Sequence, residues 1–79
     1  MEILQNCKFR ILTDGKKFRI QFRKNEHWFW LSNLGKILDF SKVFNARESL
    51  KYLDRDELDP NCNRDFGESK GWMVLENYL

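Results

Sequence analysis

The sequence of 79 residues predicts an α+β fold: a three- or four-stranded, mostly antiparallel sheet, built as a β-meander, with one helix packed on one face. Three observations predict it. Apolar residues alternate on both sides of Asp14-Gly15, a third alternating run follows at residues 26–32, and a helix-spaced apolar set follows Asn45. At this length the chain is a single small domain, residues 1–79. Such a domain buries only about 60% of the surface its unfolded form exposes.

Asp-Gly favours a two-residue hairpin loop, because a type I′ turn needs positive φ at both central positions. That loop opposes Ile11 to Phe18, Phe9 to Ile20 and Cys7 to Phe22, all on one face. On the other face Lys8 meets Gln21 and Arg10 meets Arg19. The next connection allows a two-residue turn at Lys24-Asn25. It opposes Phe22 to His27, Ile20 to Phe29 and Phe18 to Leu31, and sends Trp28 and Trp30 to the opposite face. A loop one residue longer reverses the faces of this third strand. The first register is preferred because it keeps Arg19 off a face shared with Leu31.

Asn33-Leu34-Gly35-Lys36 reads as a turn and residues 37–40 as a short strand. Asn45-Ala46-Arg47-Glu48 has capping-box spacing, with Phe44 as a hydrophobic staple before it. Ala46, Leu50 and Leu53 make a helical stripe that Tyr52 widens. Asp54, Asp56, Glu57 and Asp59 then crowd a C-terminal end whose dipole favours cations, so the helix is expected to stop near Asp54. The alternative is a second short turn that starts at Asp59-Pro60; residues 61–70 read as a loop, and residues 72–76 as a last strand able to pair with a sheet edge.

Composition narrows the function classes. At 33% charged and 42% hydrophobic the chain is globular, and its length excludes Rossmann and β/α-barrel scaffolds. The net charge of +2 hides an asymmetry. Residues 1–36 hold eight basic and three acidic residues, whereas residues 37–79 hold six basic and nine acidic. One half presents positive potential and the other negative. Two cysteines, Cys7 and Cys62, read as free thiols rather than a disulfide framework. The first residues show no signal-peptide pattern, and the longest apolar run, Trp28-Phe29-Trp30-Leu31, is far too short to span a bilayer. The expected location is the cytoplasm, with no membrane partner.

No enzymatic constellation is found. His27, the single histidine, falls on the core side at a strand end, where a packed role is expected. Cys7 lies at the same end of that face, yet nothing marks an oxyanion hole or a third orienting group. Cys7, Cys62 and His27 are too few and too scattered for structural zinc, and no phosphate loop occurs. Residues 59–65 repeat oxygen side chains like the start of a calcium loop, but Arg64 stands where glycine is needed and Lys70 where a bidentate glutamate is needed. No metal and no cofactor is expected.

The outer face of the meander is the candidate binding surface. Lys8, Arg10, Arg19, Gln21, Trp28 and Trp30 gather there, and Trp and Arg dominate interface hot spots. Two ordinary structural roles compete with binding: cover by residues 60–79 with Trp72 packed on the other tryptophans, or arginine stacking on tryptophan within the chain. A basic, aromatic sheet also suits single-stranded nucleic acid. The acidic residues Asp54, Asp56, Glu57 and Asp59 offer a second surface, one that imitates nucleic acid toward a protein that binds it.

Phe9-Arg10-Ile11-Leu12, Asp14-Gly15, Phe18-Arg19-Ile20-Gln21, Trp28-Phe29-Trp30 and Phe44-Asn45-Ala46-Arg47-Glu48, with Leu50, Tyr52 and Leu53, run as hairpin, tryptophan-rich strand and short helix. Over residues 8–53 this order resembles small phage-encoded host-takeover and anti-defence proteins, among them anti-CRISPR proteins. The resemblance implies a non-enzymatic phage product that binds and inhibits a host protein, and it transfers no functional residue. The expected partner is therefore a host protein, with a nucleic-acid-binding module as the alternative and self-association left open.

Overall fold

The computed structural model describes residues 8–24, 26–33, 36–52 and 64–78. Their elements are, in order, β1 (Lys8–Thr13), β2 (Phe18–Lys24), β3 (His27–Trp30), β4 (Ser32–Asn33), β5 (Lys36–Ile37), α1 (Val43–Lys51) and β6 (Met73–Tyr78). An antiparallel four-stranded sheet has the order β3-β2-β1-β6, and β4 with β5 makes a separate two-stranded hairpin. The α+β class, the meander and the last strand on a sheet edge agree with the sequence. Cys7, Cys62, Leu53 and the acidic set Asp54, Asp56, Glu57 and Asp59 lie outside the described residues.

Both predicted hairpin registers are two residues off. In β1–β2, Phe9 faces Phe22, Ile11 faces Ile20 and Thr13 faces Phe18, so the loop has four residues, Asp14 to Lys17. The cause is side-chain competition for the backbone. Asp14 Oδ1 accepts from the N–H groups of Lys16 (2.9 Å) and Lys17 (3.0 Å), which also lowers the Asp14 pKa. Thr13 Oγ1 accepts from the Gly15 N–H and donates to the Lys17 carbonyl. Gly15 has φ 97° and Asp14 does not take the positive φ that a type I′ turn needs. In β2–β3, Phe22 faces Phe29, Gln21 faces Trp30 and Lys24 faces His27, so Lys24 belongs to the strand and not to the turn. Glu26 adopts φ 68° there.

A shift of two leaves every side chain on its predicted face, because the strand period is two. It changes only the cross-strand partners. Arg10 faces Gln21 and not Arg19, so the predicted like-charge pair does not form.

One apolar layer follows from this face. Phe9, Ile11, Ile20, Phe22, Phe29, Leu31 and Ala46 form its buried cluster, with Phe18, Leu38, Phe40, Val43, Leu50 and Tyr78 packed against it. Phe22 and Phe29 stack at 5.4 Å. The predicted short strand at 37–40 is split: Ile37 belongs to β5, while Phe40 bridges Phe18 and exchanges both backbone hydrogen bonds with it at 2.8 Å. That bridge delivers the chain to the start of α1 over the sheet.

The helix starts two residues before its predicted cap. Lys42 is the N-cap and supplies no side-chain hydrogen bond, so the Asn45–Glu48 capping box does not form. Burial decides the start: Val43, Ala46 and Leu50, at helical spacing, point into the core. Asn45 consequently falls inside the helix, and Phe44 and Tyr52 face solvent instead of serving as staple and stripe. Arg47 clamps Glu76 of β6, its Nε 2.9 Å from both carboxylate oxygens, and thereby ties α1 to the sheet edge.

Candidate binding face

The outer face of the sheet carries Arg10 and Leu12 from β1, Arg19, Gln21 and Arg23 from β2, and Trp28 and Trp30 from β3. Lys8 begins β1 opposite Arg23. The five whose side chains the structure describes, Arg10, Arg19, Gln21, Trp28 and Trp30, therefore belong to one face. Most of that face is covered by residues 64–72. Trp30 is 2% exposed and Gln21 fully buried, and Leu12 is buried beside them. Arg10, Arg19, Arg23 and Trp28 are half-buried.

The cover is held by polar contacts as much as by apolar ones. Arg10 Nε donates to Gln21 Oε1 at 2.7 Å, and Gln21 Nε2 donates to Asp65 Oδ2 at 2.9 Å. A buried amide thus has both ends satisfied, as burial requires. Asp65 Oδ1 accepts from the N–H groups of Gly67 (2.8 Å) and Ser69 (3.2 Å), which folds the covering loop on itself. Desolvation pushes the Asp65 pKa up, but hydrogen bonds from Ser69, Gln21 and the Gly67 backbone outweigh it and hold the group at about 2. Burial lowers the Arg10 pKa, with Asp65 opposing it. The guanidinium stays charged throughout.

Aromatic contacts complete the cover. Trp72 meets Trp30 edge-on at 5.5 Å, and the Arg19 guanidinium lies 4.8 Å from the Trp72 ring and 5.4 Å from the Trp30 ring. Arg19 is further held by Asp39, Nε to Oδ1 at 2.5 Å. At the other end of the face the Arg10 guanidinium sits 3.9 Å over Trp28. Both structural roles weighed against binding, cover by the tail and arginine stacking, are therefore present, and Trp30 belongs to a second buried layer.

Comparison with protein-family models, curated proteins and solved structures finds no match. The site is therefore read from its own geometry.

His27 is exposed, and its Nδ1 accepts from Arg64 Nη2 at 2.9 Å, so the expected packed role is corrected. Arg64 also lies 4.9 Å from the Phe66 ring and bridges Phe29 across the β3 edge. Of the calcium-like stretch only Arg64 and Asp65 are described, and Asp65 serves the cover instead. Among the described residues, no three His, Cys, Asp or Glu side chains cluster as metal ligands.

Asp65, Arg64 and Trp72 are the residues of this face that sequence reasoning did not assign to it by name, apart from the packing alternative for Trp72. Their partners on the sheet are at least 35 positions away, beyond any periodicity signal. What remains accessible is the Arg10–Trp28 stack with Arg23, bordered by Arg64 and His27. No helix among the described residues is long and apolar enough to cross a membrane.

Proposed function

We propose that this chain is a non-enzymatic binding protein, phage-encoded, that blocks a host protein through the uncovered end of the outer face. The observation that carries this reading is the Arg10 guanidinium stacked 3.9 Å over a half-buried Trp28. Stacked arginine and tryptophan are preorganised, lose little entropy on contact and serve as hot spots. Trp28 and Arg10 are the anchors, with Arg23 and Arg64 around them. The resemblance to small phage anti-defence proteins supports the inhibitory role, and the cytoplasm of the host is the matching location.

Charge favours a protein over nucleic acid. Each phosphate neutralised requires a cation. Arg19 is already held by Asp39, and the Arg10 charge faces Asp65. On this face Arg23 and Arg64 are left for a phosphate backbone, whereas a mixed protein surface accepts a stack with a few flanking charges.

The test is capture on the tagged chain in its bacterial host, comparing wild type with Trp28→Ala. A host protein retained by wild type is expected to bind Trp28→Ala about 2 kcal/mol more weakly, roughly thirtyfold, with the fold unchanged by circular dichroism. Equal retention by Trp28→Ala removes this face from the interaction. Capture abolished by nuclease, with affinity falling steeply as salt rises, identifies single-stranded nucleic acid instead.

A further inference from the structure

We propose that β6 is a self-pairing edge, and that two copies of this chain join antiparallel along it into one continuous sheet. An edge strand offers unpaired N–H and C=O groups, which proteins normally blunt with Lys, Pro, inward charges or a covering segment. β6, Met73-Val74-Leu75-Glu76-Asn77-Tyr78, lies at one end of the strand order and contains no Lys, Arg or Pro. Among the described residues nothing pairs with its outer side. Its blunting device is a single irregularity, where Ile11 faces Glu76 and Leu12 faces Val74, leaving Leu75 unmatched.

The surface beside this edge is apolar. Met73 is 65% exposed and Leu75 43%. Phe44, 60% exposed, adds to it from the helix. Arg47 reaches Glu76 of β6. Phe44, three residues before Arg47, shares with it the side of the helix turned toward β6.

A second copy is the occupant that the charges and the topology select. Glu76 is the one charged residue of β6, and Arg47 and Tyr78 of its own chain already engage it. A two-fold register that sets Met73 opposite Tyr78 and Val74 opposite Asn77 keeps like faces together across the irregularity, and each Glu76 then lies opposite Leu75 of the other copy, so no like charges meet. The other sheet edge is closed: Arg64 bridges Phe29, and the Asp65 N–H donates to the Trp28 carbonyl at 2.9 Å. With one open edge of this sheet among the described residues, the pairing is isologous and stops at two copies, whereas two open edges would propagate. Both helices then lie on the same side of the joined sheet.

The test is sedimentation equilibrium of the whole chain over a wide concentration series. The expected mass rises from 9.6 kDa toward twice that value. Leu75→Lys and, separately, Met73→Lys place a gatekeeper charge at an exposed position and are expected to raise the dimer dissociation constant tenfold or more, with unchanged circular dichroism. Hydrogen exchange should show β6 amides slowing as concentration rises. A mass of 9.6 kDa at every concentration overturns the proposal. So does growth beyond a dimer, a dimer without slowed β6 amides, or folded lysine variants that dimerise like wild type. None of these readouts involves the host partner or Trp28.

Discussion

Asp65 is the residue on which the outer face turns. Its carboxylate accepts from Gln21, Gly67 and Ser69 at once, and its pKa lies near 2 against an ordinary 3.8. Glu76, held by Arg47 and then Tyr78, is likewise lowered to about 2. A carboxyl whose folded pKa is depressed contributes stability above its unfolded pKa and loses it as pH falls through the folded value. The urea midpoint is therefore expected to hold steady above about pH 5 and to fall between roughly pH 4 and pH 2. Asp65→Asn should remove part of that fall and lower stability at neutral pH by about 1–3 kcal/mol. The new amide turns a donor toward Gln21 Nε2, and flipping Gln21 only moves the clash to Arg10. An Asp65→Asn variant with the wild-type midpoint and pH profile would show that the Gln21 contact contributes nothing.

The weakest point at the scale of elements is the start of α1. Lys42 has the extended backbone of an N-cap, φ −137° and ψ 144°, yet its side chain satisfies none of the free N–H groups that follow. Lys42→Asp supplies an acceptor and a negative charge at the positive end of the dipole, and should raise stability by about 1 kcal/mol, read as a higher denaturant midpoint. The capping signal visible in the sequence, Asn45 with Glu48, sits one turn too late because the burial of Val43 and Ala46 outweighs it. The strands teach the same lesson in another form. Their faces were legible, since alternation is local and a shift of two leaves Phe9, Ile11, Ile20 and Phe22 on the same side. Their registers were not, since Asp14 and Thr13 hydrogen bonds lengthened the first loop and Glu26 took the positive φ in the second. The candidate face was legible as a set of residues sharing one side. Its cover was legible only as one alternative, residues 60–79 with Trp72 on the other tryptophans, and nothing near Trp30 in the chain announces Asp65.

At the scale of the molecule, a single sheet is covered on both sides, by α1 with the segment around Phe40 on one and by residues 64–72 on the other. Trp30 therefore acts in the second layer as Phe22 and Phe29 do in the first, and Trp28 alone of the two strand tryptophans keeps access to a partner. Trp30→Ala is expected to cost about 3–5 kcal/mol, the range for emptying a large buried aromatic site. Among the described residues its buried indole N–H has no hydrogen-bond partner, and such an orphan donor opposes folding. Trp30→Phe keeps much of the ring and removes that orphan donor, so it should cost less than half as much. If the second layer is held as one unit, Trp72→Ala and Trp30→Ala will not add. The double variant should be more stable than the sum of the singles predicts by about 0.5–1.5 kcal/mol, the coupling of an edge-on aromatic pair. Strict additivity in that cycle would mean that Trp72 rests on the sheet without energetic contact, and that residues 64–72 leave the Trp30 side of the face free to meet a partner.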